Sequence, residues 1–156
     1  LNATDLLAIL KLKYGVSESG GFFSNMYWSD AKITSINLPK KSSLITLVAE
    51  GENQPYKDDV FELSQHPNLW IKLSDLPVEA DHKTWTDDDI KPYIDATIEA
   101  FGFDRTIYAG DYPICLQATS LTRWVEVLDR ALIGSSEEEL KKFYRDNANN
   151  FYRLGL

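Results

Sequence analysis

The sequence predicts an α/β domain built on a parallel sheet, and three observations predict it. Short apolar or β-branched runs alternate with stretches whose apolar residues recur at helical spacing. One run, LITLVA at 44–49, is apolar throughout, as suits a strand covered on both faces. Capping residues open two of the helical stretches and glycines close three, so the punctuation agrees with the periodicity.

Taken in order, residues 3–14 (ATDLLAILKLKY) gather Leu6, Leu7, Ile9, Leu10 and Leu12 and favour a helix that stops at Gly15. Residues 17–30 mix glycine, serine and aromatics without a period and are expected as loop. Residues 33–38 suit a short strand, ended by Pro39 and the KKSS turn at 40–43. After the 44–49 strand, the polar loop EGENQP leads to a helix at 56–65, and NLWIKLS at 68–74 is the next strand. Thr86 fits an N-cap, with Asp87, Asp88 and Asp89 in the first turn, where negative charge complements the helix dipole. Ile90, Tyr93, Ile94, Thr97, Ile98 and Phe101 form that helix's apolar face, and Gly102 ends it. Residues 105–109 make another strand. Leu121, Trp124, Val125, Leu128 and Leu132 mark a further helix, stopped by Gly134. SEEE at 136–139 is a capping box opening a last helix that carries Leu140, Phe143, Tyr144 and Phe151. Strands alternating with helices imply right-handed βαβ units.

A chain of 156 residues fits one domain with a real core, and 44% apolar with 12% aromatic residues argues for a folded globule. A net charge of −8 speaks against a nucleic-acid partner, because nothing would displace the backbone's counterions. There is no basic cluster to hold an anionic membrane surface, and no apolar run nears the roughly 18 residues that span a bilayer. Cys115 is the only cysteine, which rules out an internal disulfide and a thiolate zinc cluster and suits a reducing, cytoplasmic setting. The start, LNATDLLAIL, has neither a charged n-region nor a small-residue cleavage site; beginning with Leu, it reads as a processed product or a fragment.

The stretch RTIYAGDYP at 105–113 raises the functional question, because an acid stands where a buried strand should end. In parallel α/β architectures ligands bind at the carboxyl ends of strands. Gly110 gives the backbone room to turn, and Pro113 disfavours a helical conformation at Tyr112. Asp111 there suits a general base, a metal ligand or both. An aspartate capping its own turn fits the position equally well.

Four pieces in order carry a resemblance. HPNLWIKLSDL (66–76) is similar to the "hPNv-x-KlSGl" strand of the amidohydrolase-related proteins, and FGFDRTIYAGDYPI (101–114) to their "FG-x-dRl-x-fGSDWPv". Trp124 follows at about the expected distance, and DNANNFYRLGL (146–156) resembles the closing "NA-x-r-fYrl". Residues 60–156 thus resemble the C-terminal segment of the lactonase-like branch of the amidohydrolase superfamily, whose fold is the (β/α)8 TIM barrel. The resemblance implies that Asp111 deprotonates the attacking water and, in metal-dependent members, also binds the metal. It marks Lys72 and Arg105 as substrate-binding candidates, with a structural role the simpler expectation for each. It implies a small-molecule substrate with a lactone or amide carbonyl, and either a divalent metal (Zn or Mn) or none.

The departures are as specific. A full barrel needs on the order of 250 residues, and this chain supplies three or four strands, so a truncated barrel is expected. The "H-x-H" pair of the first strand is absent, and "DH-x-G-x-P" falls on LVAEGENQP (47–55), where Glu50 is the nearby acid and no histidine occurs. Neither His66 nor His82 has a ligand spacing. The glycine of "SGL" is Asp75, and "GSDWP" has become AGDYP. Residues 1–42 match nothing in the family, which divides the chain into that segment and an amidohydrolase-like βα domain at 43–156. Two expectations stand beside the hydrolase: missing strands supplied by another copy or another chain, since an open half-barrel exposes two sheet edges, and a non-catalytic α/β domain that kept the scaffold for binding. A small three-layer sandwich also suits the length.

Overall fold

The computed structural model describes residues 26–28, 51, 53–74 and 76–156. The expected helix at 3–14 and the strands at 33–38 and 44–49 lie outside them. The described chain is α/β. In order it forms β1 (Met26–Trp28), α1 (Asn53–Ser64), β2 (Leu69–Leu73), α2 (Asp87–Phe101) and β3 (Thr106–Tyr108). A 3-10 helix (Ile114–Gln117), α3 (Leu121–Ala131), α4 (Glu137–Lys141), a π turn (Lys142–Asp146) and α5 (Asn147–Tyr152) complete it.

Among the described residues the sheet order is β1-β2-β3. β2 and β3 run parallel, with Ile71 opposite Thr106, Lys72 opposite Ile107 and Leu73 opposite Tyr108. With α2 between them they form the expected βαβ unit. β1 corrects the sequence reading in two ways. Residues 26–28 are a strand rather than loop, and it pairs antiparallel with β2, Tyr27 opposite Trp70. The stretch Met-Tyr-Trp has strong β-propensity but is only three residues long, too short to show a period.

β2 alternates as a sheet covered by helices must. Leu69, Ile71 and Leu73 are buried against the helices, while Trp70 and Lys72 stand half-buried on the other face. α1 packs against α2, where the Tyr56 and Tyr93 rings meet edge to face, and Val60, Leu63, Ile90 and Ile94 belong to the same buried core. Each fully buried side chain of this kind contributes roughly 1.5–3 kcal/mol. One polar pair sits inside that layer, the Tyr56 hydroxyl against Thr97 Oγ1 at 2.7 Å. Thr97 is bonded in turn to the Tyr93 carbonyl at 2.8 Å, and burial pushes the Tyr56 hydroxyl up to about 12.

α2 opens as expected. The Thr86 backbone N–H and hydroxyl both donate to the Asp89 carboxylate, at 2.7 and 2.8 Å. α3 follows its stripe with one shift: Trp124, Val127, Leu128 and Leu132 are buried, whereas Val125 is only half-buried and Leu121 is exposed in the first turn. Val127 and Leu128 are one turn on from Trp124 on the same face, and Val125 is rotated off it. The last helix does not run unbroken from Ser136. It widens into the π turn, which buries Phe143 and brings Asn147 under β3.

The amino end of the parallel pair is tied tightly. Arg105 Nη1 donates to the carbonyls of His66 (3.0 Å) and Leu69 (3.3 Å), and Nη2 to that of Ser64 (2.9 Å). Its guanidinium also lies over the Phe101 ring, 5.1 Å from the centroid. Asn147 Nδ2 donates to the carbonyls of Phe103 (2.6 Å) and Thr106 (2.8 Å). No helix among the described residues is long and apolar enough to cross a membrane.

Candidate functional site

Because β2 and β3 are parallel, the loops that follow them leave from the same edge of the sheet, and that edge carries the unusual chemistry. β3 is held there by two bonds past its last residue: Ala109 N–H donates to the Leu73 carbonyl at 3.3 Å, and the Trp124 indole N–H donates to the Ala109 carbonyl at 3.0 Å. Gly110 comes next, in a place with little room for a side chain. A Cβ there would stand 2.6 Å from Leu121 Cδ2 and 3.3 Å from the Tyr108 hydroxyl.

Asp111 then takes the left-handed conformation, φ +46°, before the cis Tyr112-Pro113 bond and the 3-10 helix. Aspartate enters that region more readily than most residues, at a cost of about 1 kcal/mol. The Asp111 carbonyl accepts from the Cys115 N–H at 2.9 Å and that of Pro113 from the Leu116 N–H at 3.1 Å. The Asp111 side chain is not so paired. Asp111 Oδ2 is buried and has no hydrogen-bond partner, and the carboxylate makes no bond to its own loop among the described residues. An aspartate acting as a turn cap would spend those oxygens on neighbouring N–H groups. Asp81 does so: its Oδ1 accepts from the N–H groups of Lys83 (2.9 Å) and Thr84 (3.1 Å), which hold its pKa below the ordinary value.

The loop after β2 contributes a second acid that the sequence reading did not single out. Glu79 is 8% exposed, in a stretch where Leu76 and Pro77 are also buried, and its Oε2 has no hydrogen-bond partner. Burial pushes its pKa above the ordinary glutamate value; the His82 charge opposes that, and the negative charge of Asp111 adds to it. The two carboxylates are therefore electrical neighbours at the exits of two adjacent parallel strands. The signal available in the sequence was an acid embedded in the apolar run LPVEA, just past a strand end.

The other candidates are spread along the strands. Lys72 lies one residue before the end of β2, half-buried, opposite Ile107 and on the same sheet face as Trp70, whose ring packs on Phe151 of α5. Arg105 stands at the far, amino end of β3, with its guanidinium on three backbone carbonyls. His66 offers its carbonyl to that arginine, and His82 has its Nε2 2.8 Å from the Val78 carbonyl.

A catalytic zinc takes three protein ligands and keeps a fourth position for water. Asp111 and Glu79 present two carboxylates with unmet oxygens, but among the described residues no set of three His, Cys, Asp or Glu side chains is placed to hold a metal. These residues alone do not fit the ion.

Comparison with known proteins places the chain. Residues 42–154 match the family model described as Amidohydrolase. An L-fucono-1,5-lactonase of Burkholderia ambifaria is 28% identical over 114 residues, covering 69% of this chain and 38% of that protein. An L-rhamnono-gamma-lactonase of Scheffersomyces stipitis is 32% identical over 98 residues, 56% of this chain and 29% of that one. An uncharacterized protein of Sinorhizobium fredii is 33% identical over 92 residues, 59% of this chain and 30% of its own length. Two crystal structures of an amidohydrolase from Burkholderia multivorans are similar in fold. The one with bound HEPES has a TM-score of 0.65 at 26% identity, over 70% of this chain and 42% of that one. The one with bound zinc has a TM-score of 0.64 at 27% identity, over 68% and 40%. The chain spans 29% to 38% of the length of these curated relatives. With a family model matched over most of its length and a fold similar to that of a solved amidohydrolase, the chain belongs to the amidohydrolase family.

Proposed function

We propose that the chain is the C-terminal part of a (β/α)8 hydrolase barrel, and that Asp111 is the general base that activates water in opening a lactone ring. The observation that carries this reading is the buried, unpartnered Asp111 Oδ2 at the exit of β3. A carboxylate oxygen with no protein donor, on a rigid strand end, is free to take a proton from water. The left-handed backbone at Asp111 supports it, because strained conformations of this kind concentrate at working sites.

The chemistry balances with one residue moving the proton. Asp111 removes a proton from water, and the hydroxide oxygen adds to the lactone carbonyl carbon. The ring C–O bond then breaks, and the departing oxygen takes the proton back from Asp111, leaving a hydroxy acid. The negative oxygen of the tetrahedral intermediate needs a positive or donor group. Lys72, on the face that a closed barrel turns inward, is the residue we assign to it. Arg105 is read as a clamp, since a substrate role would take it from three carbonyls at the other end of the strand. A Zn or Mn ion belongs to this site only if ligands from outside the described residues complete the set. The remaining strands come from sequence beyond this chain or from another copy.

Relatives named for lactones of L-fuconate and L-rhamnonate indicate sugar-acid lactones as the substrate class. The test is acid release from L-fucono-1,5-lactone and L-rhamnono-γ-lactone by the 156-residue chain and by its Asp111→Asn variant. Loss of a general base lowers turnover about 100-fold or more. If the wild-type chain releases no acid above the uncatalysed rate in any oligomeric or zinc-loaded state, or when joined to the strands that complete the barrel, the non-catalytic binding domain is the reading that stands.

A further inference from the structure

We propose that Glu79 is a substrate-recognition residue of the same site, its buried carboxylate accepting hydrogen bonds from ring hydroxyls of a polyhydroxylated ligand. The inference rests on the proposed function for the location of the site and goes beyond it in naming what reads the substrate. An ionised carboxylate has about four acceptor positions, and burying one unpaired is costly enough that proteins rarely leave it so. Glu79 is 8% exposed and its Oε2 has no partner. Among the described residues the two nearest indole N–H groups in sequence are used elsewhere, Trp85 Nε1 on the Ala118 carbonyl at 2.9 Å and Trp124 Nε1 on the Ala109 carbonyl at 3.0 Å, and His82 Nε2 lies 2.8 Å from the Val78 carbonyl. Among the described residues Glu79 Oε2 has no donor, and a ligand hydroxyl is the group that would supply one.

Two classes of visitor satisfy a carboxylate, cations and hydroxyl or amine donors. A divalent ion needs more ligands than the Asp111 and Glu79 pair supplies, and no set of three is placed for it among the described residues. A hydroxyl needs only the one oxygen. A sugar-acid ring carries several, and one of them reaches Glu79 while the carbonyl lies before Asp111. A site built to receive a hydroxyl discriminates against a ring that lacks it, because its buried acceptor is then left unpaired.

The experiment measures binding apart from turnover. An inert cyclic polyol, 1,5-anhydroglucitol, is titrated calorimetrically into the full chain and into Glu79→Gln, with thermal melting as the check on folding. The expected result is a Kd raised about 10- to 100-fold in the variant, the value of a hydrogen bond to a charged group. Glu79→Asp, which keeps the charge but withdraws it by one methylene, weakens binding as well and serves if the glutamine variant does not fold. Where lactones are turned over, the preference for L-fucono-1,5-lactone over unsubstituted δ-valerolactone falls by a similar factor. An equal loss on both lactones, no polyol binding by the wild-type chain, or an unchanged Kd overturns the proposal. So does zinc chloride binding that requires Glu79 while the polyol does not bind. Absence of all hydrolysis with polyol binding that depends on Glu79 would sink the hydrolase reading and leave this one standing.

Discussion

The two ends of the β2–β3 pair are built to opposite specifications. At the amino end the Arg105 guanidinium is spent on three carbonyls and the Asn147 amide on two, so backbone groups left over at strand and helix ends are met by side chains. At the carboxyl end the Asp111 and Glu79 carboxylates each keep a buried oxygen without a partner. One further unmet atom among the described residues, the neutral Asn68 Nδ2, lies at the amino end just before β2, so the contrast is between backbone carbonyls that are tied and carboxylate oxygens that are not. A protein stabilises itself by closing its polar groups, and it works where it leaves them open. The same sheet thus separates a fastened end from one whose carboxylates are left open.

That contrast can be broken from either side. The largest expected stability effect is at the fastened end. Arg105→Ala strips three carbonyls of a charged donor and is expected to cost about 3 kcal/mol, a fall in Tm of about 6–12 °C, with Arg105→Lys recovering little because a lysine cannot fork across three acceptors. Asn147→Ala removes one bond to β3 and one to the Phe103 carbonyl before it, and is expected to cost about 2 kcal/mol, read by thermal or denaturant unfolding. If either variant melts with the wild type, the amino end is not the anchor described.

The smallest effect is at the open end and has the opposite sign. Burial raises the Glu79 pKa above the ordinary 4.5, so the folded state holds that proton more tightly than the unfolded state. Ionisation of Glu79 then costs stability, and the cost appears as pH rises from about 4.5 through the raised folded value. Glu79→Gln carries no such cost. Its Tm relative to wild type should therefore rise across that window, level off above it, and show no such gain below it. A difference between the two proteins that does not vary with pH would mean that Glu79 is solvated or paired.

Much of this was legible in the sequence, for physical reasons that differ by element. The alternation in LWIKL and the spacing from Ile90 to Phe101 are long enough to declare a strand and a helix, and Thr86 with Asp89 marks the helix start in its own chemistry. β1 was not legible, because three residues cannot show a period and its pairing depends on a partner over 40 residues away. The burial of Val127 over Val125 is set by which way α3 docks, and only the tertiary fold decides that. Asp111 was visible because a strand, a glycine and a proline frame it. Glu79 was not, since one acid in a loop becomes notable only when folding removes its water. Arg105 shows the converse: the residue is plain in the motif, but the end of the sheet it serves is a fact of three dimensions.

The central claim is that Asp111 is held at the strand exit for chemistry and contributes nothing to the fold through its side chain. Asp111→Asn tests it most directly when melting and lactone turnover are measured on the same preparation. Asparagine accepts the left-handed backbone, and no hydrogen bond of the carboxylate is lost. The account predicts a Tm within about 2 °C of wild type, well under the shift that a lost structural bond produces, and turnover reduced about 100-fold or more. A variant that melts far earlier while hydrolysing lactones at the wild-type rate would show Asp111 to be a structural residue and contradict the account.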